Sequence, residues 1–179
     1  MADVLADAAS VVTDALADAA SVVSAFIASG IIINDVFDAQ RNISFKITNN
    51  TAKPLTLVDT HMDCGQQNAP AYIGPKEEGH GTVTSKLGAF GVKGALIYRW
   101  GDNDKEKVVL YLENPVNGCN KHGIKYYWET YESAHWYYCN IGTHGSGDEM
   151  KRVTNDWFHH SSFVTGGNKA TAAYVLRGE

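Results

Sequence analysis

The chain has 179 residues, of which 44% are apolar and 11% aromatic, with a formal net charge of −5 at pH 7. That length suits one domain plus an appendage, and the apolar share is enough for a sizeable core. The acidity sits in residues 1–40, which hold six Asp and no Lys or Arg, so the chain offers no basic stripe to nucleic acid and its first segment no cationic face to anionic lipid.

Taken in chain order, the first element is the stretch VLADAASVVTDALADAASVVSAFI, residues 4–27. At about 100° per residue, Val4, Leu5, Ala8, Val11, Val12, Ala15, Leu16, Ala19, Val22, Val23, Phe26 and Ile27 share one half of a helical wheel. Asp3, Asp7, Ser10, Asp14, Asp18 and Ser21 form a narrower polar stripe. LADAASVV occurs at residues 5–12 and again at 16–23, and a shift of about three helical turns keeps both faces in register. The apolar face is built from small residues, which favour close packing against another helix or against lipid. Such a helix is roughly 36–40 Å long, enough for a ~30 Å hydrocarbon core with some tilt. One copy cannot span alone, since each Asp in hydrocarbon costs about 2.5–3.5 kcal/mol; several copies can, with their Asp stripes around water. The alternatives are a helix packed permanently on the body, or a secretion signal, which the missing basic n-region and the repeated Asp disfavour. No uninterrupted run of about 18 apolar residues exists, and no leader peptide is visible.

Ser29-Gly30 supplies a stop signal, so the expected organisation is a helical segment over 1–30 and a second domain over 31–179. IIINDVF at 31–37 continues the helix or forms a short strand. From Asn42 the period becomes two: Ile43, Phe45 and Ile47 alternate with Ser44, Lys46 and Thr48, a half-buried strand. Residues 49–51 turn, and 55–62 form a second strand. Residues 65–80 read as a long polar loop, 81–86 as a short strand and 88–94 as a glycine-rich bend. Residues 95–100 and 107–113 pair across GDND as a hairpin. A loop follows over 114–122, a strand over 124–130, a short helix over 132–140 and a loop over 142–148. Strands over 157–164 and 170–176 close the chain. Many short strands with turn signals predict a mainly β fold: a β-sandwich flanked by the N-terminal amphipathic helix and the short second helix.

Little argues for an enzyme, a cofactor or a metal. Cys119-x2-His122 and His135-x3-Cys139 carry ligating side chains, but neither spacing matches a known zinc site. Gly142, Gly145 and Gly147 follow no apolar strand and cradle no phosphate. Three cysteines, Cys64, Cys119 and Cys139, leave at least one free thiol. The stronger cluster is aromatic: Tyr126, Tyr127, Trp128, Tyr131, Trp136, Tyr137 and Tyr138 fall within 13 residues. A strand buries alternate residues on one face, so adjacent aromatics are expected to leave some rings exposed. Exposed Tyr and Trp suit a bilayer interface or a cage for a quaternary ammonium; the alternative is a Tyr-rich sandwich core.

Several segments together resemble the actinoporins, small pore-forming cytolysins. ADVLADAASVV is similar to that family's mobile amphipathic helix, and ISFKITNNTAKPLTL to its first sandwich strands. GVKGALIYRWGDNDKEKVVLYLENP resembles its central hairpin and the proline loop after it, and TYESAHWYY its tyrosine-bearing helix. The resemblance spans nearly the whole chain and implies a helix-flanked β-sandwich. It further implies binding to choline-headgroup lipid, notably sphingomyelin, then homo-oligomerisation and insertion of N-terminal helices as a pore. By position, Tyr131, Tyr137 and Tyr138 match the family's headgroup tyrosines and Pro115 its loop proline. The family's pocket serine falls near Cys64, its pocket valine near Lys93, its loop serine near Glu113 and its further tyrosine near Lys121. The Arg-Gly-Asp triplet of anemone members is absent. Pore formation is thus implied more directly than sphingomyelin preference, and the receptor is left open between another lipid and a glycan.

The expected protein is a secreted toxin acting at a target-cell membrane, docking through Tyr126–Tyr138 and Pro115 and lining a cation-preferring pore with Asp3, Asp7, Asp14 and Asp18. The competing expectation is a lectin-like sandwich that binds glycan or headgroup without permeabilising. Replacing Asp7 and Asp14 together by Lys should shift the reversal potential of the pore, in a salt gradient across a planar bilayer, away from cation preference; an unchanged potential removes these residues from the lumen.

Overall fold

A computed structural model describes residues 41–85, 91–129, 133–147, 150–155 and 158–178. The segment of residues 1–30 expected to be helical, with Asp3, Asp7, Asp14 and Asp18, lies outside the described residues, as do residues 31–37 and Tyr131.

Among the described residues, twelve strands form two six-stranded sheets, with one short helix. The first sheet contains β1 (Asn42–Asn50), β3 (Gln66–Asn68), β5 (Glu77–Thr84), β10 (Met150–Asn155), β11 (Phe158–Val164) and β12 (Lys169–Gly178), in the order β10-β11-β12-β1-β5-β3. The second contains β2 (Leu55–Cys64), β4 (Tyr72–Ile73), β6 (Val92–Trp100), β7 (Lys107–Asn114), β8 (Lys121–Tyr127) and β9 (His144–Gly145), in the order β4-β2-β6-β7-β8-β9. Pairing is antiparallel except for β1 against β12. The helix α1 (Ala134–Asn140) starts at Ser133, whose Oγ accepts from the Trp136 N–H at 3.3 Å.

The expected β-sandwich is therefore the observed fold. The main core lies between the sheets, where Ile43, Phe45 and Ile47 of β1 meet Leu96, Tyr98 and Trp100 of β6 and Leu110 of β7. A second apolar layer joins the outer face of the β6–β7–β8 region to α1 through Ala95, Ile97, Val109, Tyr111, Tyr127, Ala134, Tyr137 and Ile141. The central strands of that sheet are covered on both faces, so ALIYRW and KVVLYLE read as near-continuous apolar runs rather than alternations. Every residue of β7 is buried.

Both ends of the sandwich are pinned by polar side chains. At the hairpin end the Trp100 Nε1–H donates to Thr51 Oγ1 at 2.9 Å. Lys53 Nζ stands 4.3 Å from that ring's centroid and pairs with the buried Glu106 at 3.0 Å. At the opposite end Asn114 Nδ2 donates to the carbonyls of Asn42 (3.1 Å) and Asn168 (2.7 Å), and Arg41 donates to Asn114 Oδ1 (2.9 Å) and to the Val116 carbonyl (2.8 Å).

Several expected segments differ. Residues 65–80, read as a loop, contain β3, β4 and the start of β5; both short strands lie at sheet edges, where β3 is wholly polar and β4, at two residues, is too short to show a strand period. The bend expected over 88–94 ends earlier, because β6 begins at Val92. Gly94 belongs to that strand for steric reasons: a Cβ there would lie 2.4 Å from Met62 Sδ and 2.5 Å from the His61 carbonyl oxygen. Strands β9 and β10 had no counterpart in the periodicity. The strand expected over 124–130 is β8, which starts three residues earlier and ends at Tyr127.

Replacing the fully buried Trp100 by Ala should cost about 3–5 kcal/mol, whereas Trp128→Ala, at a ring 55% exposed, should stay within about 0.5 kcal/mol. Urea denaturation of the two variants checks the contrast, and equal losses would overturn this assignment of the core.

Candidate functional site

The aromatic cluster divides by strand parity and then by α1. Tyr126 turns into the main core, its ring 5.8 Å from Trp100 and 5.0 Å from Phe158, and its hydroxyl donates to Glu106 Oε1 at 3.1 Å. Tyr127 turns to the other face and is buried there too, 5.0 Å from Tyr137 and 5.8 Å from Trp136. Its hydroxyl donates to the Asn140 carbonyl at 3.0 Å. Tyr137 is buried and donates to the Glu129 carbonyl at 3.2 Å. The parity argument demanded exposed rings because it counted one covered face; here both faces are covered. Tyr126, Tyr127 and Tyr137 are packing residues in this state. Trp128 is exposed, while Trp136, Tyr138 and Pro115 are half-buried.

Beside α1 the outer face of the second sheet changes from apolar to charged. Cys64 pairs with Lys93, Lys93 with Glu113, and Glu113 with Lys121. These four positions therefore form a single row across β2, β6, β7 and β8. The row carries two cations and one carboxylate, with Asp63 of β2 adding a second. Asp63 accepts a very short hydrogen bond from the Tyr138 hydroxyl and lies 3.6 Å from Lys93 Nζ. Glu113 accepts from the Tyr111 hydroxyl at 2.7 Å and faces Lys121 Nζ at 3.5 Å.

Charge states follow from these contacts. The Tyr138 hydrogen bond, with help from His61 and Lys93, holds the Asp63 carboxyl below its ordinary value against a partial desolvation cost. The Tyr138 hydroxyl likewise holds Lys93 above its ordinary value. Burial, then the Asp63 bond, pushes the Tyr138 hydroxyl up, and burial with the Glu113 bond does so more strongly at Tyr111. At neutral pH the face thus presents a carboxylate, an ammonium and neutral phenols. The Tyr138 ring is occupied as well: it stacks on Tyr111 at 5.7 Å and 29°, and Lys93 Nζ stands 5.3 Å from its centroid.

Two histidines complete the cluster. His61 Nε2 lies 2.9 Å from Asp63 Oδ1 and 3.3 Å from His135 Nδ1, and His135 Nε2 lies 3.5 Å from Cys139 Sγ. Of the two ligand-like pairs noted in the sequence, this one is in contact. Cys119 is exposed, while His122 is fully buried against Ser162 Oγ at 2.8 Å. Among the described residues no three His, Cys, Asp or Glu side chains are arranged to hold a metal ion. Sequence reasoning missed His61, Asp63 and Tyr111 as members of this face, since β2 and β7 meet α1 only after folding.

No protein-family model matches the chain, and no curated protein matches its sequence. Solved structures do share its fold. The lipid-binding protein Nakanori superposes with a TM-score of 0.61 at 16% identity, over 76% of this chain and 71% of that one. The lectin of Xerocomus chrysenteron superposes with a TM-score of 0.51 at 13% identity, over 76% of this chain and 99% of that one. At these identities the likeness is one of fold, and it agrees with the sandwich predicted from the sequence.

The lowered Asp63 value gives a signed pH dependence. Its contribution to stability is fully present above the ordinary value of 3.8 and is lost as pH falls through the lower folded value. Thermal melts from pH 5 to pH 2 should show wild type losing its advantage over Asp63→Asn; a gap that stays constant or widens on acidification would overturn this assignment.

Proposed function

We propose that this protein binds a membrane component through the face formed by α1 and the charged row of the second sheet, and then permeabilises the membrane as an actinoporin-like toxin. The observation that carries the binding step is one surface holding Trp136 and Tyr138 of α1 at half-burial beside Asp63, Lys93, Glu113 and Lys121. Half-wet aromatic rings beside paired charges suit the headgroup layer, where apolar bodies and polar tips are both solvated. A structural neighbour described as a lipid-binding protein supports the same reading.

The permeabilising step rests on the sequence of residues 1–27, an amphipathic repeat long enough to cross a bilayer. In this proposal several copies associate on the membrane and their Asp stripes face water, which removes the cost of placing carboxylates against hydrocarbon.

A second reading has its own support. A quaternary ammonium seeks an open aromatic face, and at Tyr138 that face already has Lys93 above it and Tyr111 stacked on it. Carboxylates and ammonium groups side by side suit the donor and acceptor pattern of sugar hydroxyls, and the other neighbour is described as a lectin. In this reading the chain is a glycan-binding module without pore activity.

Dye-loaded vesicles separate the two. The full chain should release dye from vesicles of phosphatidylcholine with either sphingomyelin or a glycolipid, and a chain lacking residues 1–27 should bind those vesicles yet release nothing. Release by the truncated chain defeats the role given to that segment. Binding without release by the full chain selects the glycan- or headgroup-binding module.

A further inference from the structure

The connection from β7 to β8 contains three asparagines, Asn114, Asn117 and Asn120, and the fold treats them differently. Asn114 is fully buried. Its Nδ2 donates to the carbonyls of Asn42 (3.1 Å), Gly167 (3.2 Å) and Asn168 (2.7 Å), and its Oδ1 accepts from Arg41 (2.9 Å). The next residue is Pro115, which has no backbone N–H. Asn120 is buried as well. Its Nδ2 donates to the carbonyls of Thr165 (2.8 Å) and Gly167 (3.0 Å), and the next residue, Lys121, is fixed in β8 between Glu113 and Gly145. Both side-chain amides are held by the fold and kept from the following backbone.

Asn117 has neither restraint. It is exposed, and among the described residues no hydrogen bond engages it or Gly118. Gly118 has φ +100°, and a Cβ there would meet no atom within 4 Å. The base of the loop is tied down, by Arg41 to the Val116 carbonyl at 2.8 Å and by Asn120, so the free part is the tip between them. A glycine after an amide side chain leaves the backbone the widest rotation and puts no side chain between the amide carbon and the next peptide nitrogen. Two reacting groups in one dipeptide need no bimolecular encounter.

We propose that Asn117 is a self-modification site that deamidates through the backbone nitrogen of Gly118, with water as the only co-reactant. In the first step the Gly118 nitrogen, having lost its proton to hydroxide, attacks Asn117 Cγ. The N–Cγ bond forms and the Cγ–Nδ2 bond breaks. The side-chain nitrogen takes a proton from water and leaves as ammonia, and a five-membered imide remains. In the second step water adds to one imide carbonyl, that C–N bond breaks, and the ring nitrogen regains its proton. Opening at Cγ gives aspartate; opening at the backbone carbonyl gives isoaspartate, whose main chain runs through the former side chain. Nothing is oxidised or reduced: one amide and one water become one carboxylate and ammonia. The product adds a negative charge to a chain of formal net charge −5, in the loop next to the Glu113–Lys121 pair.

Trypsin, cutting after Lys107 and Lys121, releases residues 108–121 with all three asparagines in one peptide, so Asn114 and Asn120 are internal references. The full chain is kept at 37 °C and pH 7.4, sampled over days, digested briefly at pH 6 and sequenced by mass spectrometry. The mass gain of replacing an amide by an acid should appear at Asn117 and not at Asn114 or Asn120, and its rate should rise between pH 6 and pH 9, since the attacking nitrogen must lose a proton. Because the tip is unrestrained, the folded chain and the chain unfolded in urea should modify Asn117 at rates within about tenfold of each other. Gly118→Ala should slow the gain several-fold, and Asn117→Gln, which would need a six-membered ring, should abolish it. Gain at Asn114 or Asn120 as fast as at Asn117, or a folded rate more than about tenfold below the unfolded one, overturns the proposal. An unchanged rate in Gly118→Ala, or one that does not rise with pH, overturns the assignment to the Gly118 nitrogen.

Discussion

The constraint on which the structure depends is the burial of the β6–β7 hairpin on both faces. One face meets β1 and its neighbours across the sandwich, and the other meets α1. Burying a large apolar side chain is worth about 1.5–3 kcal/mol, and this hairpin does so on each side. The register Leu96 with Leu110 and Tyr98 with Val108 is thereby fixed. A slip of one residue would exchange two different apolar sets between two differently shaped layers.

That double burial also decides where function can reside. Apolar side chains dominate the outer face where α1 covers it, and charge begins at its margin, from Asp63 and Lys93 to Glu113 and Lys121. The α1 side chains at that margin are the ones left with polar work: Tyr138 bonds Asp63, and His135 bridges His61 and Cys139. Tyr137, one residue from Tyr138, is a core residue. Adjacent tyrosines on a short helix thus divide between packing and chemistry by their angle about its axis.

The same geometry bears on ligand choice. The cross-strand row of Cys64, Lys93, Glu113 and Lys121 places ion pairs on the outer face of the second sheet beside α1. A cation arriving there competes with ammonium groups already in place, whereas a neutral polyol meets donors and acceptors of both kinds. Trp128, 55% exposed at the end of β8, supplies an apolar ring outside that electrostatic field.

Much of the fold was legible in the residues alone. Alternation at Ile43, Phe45 and Ile47, the hairpin across GDND, the short helix after residue 132 and the two closing strands all follow from local periodicity and turn chemistry, which act over a few residues. The edge strands β3, β4 and β9 were not legible, because an edge strand is defined by its partner and carries no apolar period of its own. The exposure of the aromatics was also a tertiary matter: parity separates Tyr126 from Tyr127, but only the docking of α1 buries Tyr127 and Tyr137. Likewise the sequence supplies His61, Asp63, Lys93, His135 and Cys139 far apart in the chain. Their contact depends on β2, β6 and α1 meeting, which is set by long-range burial and not by any local signal.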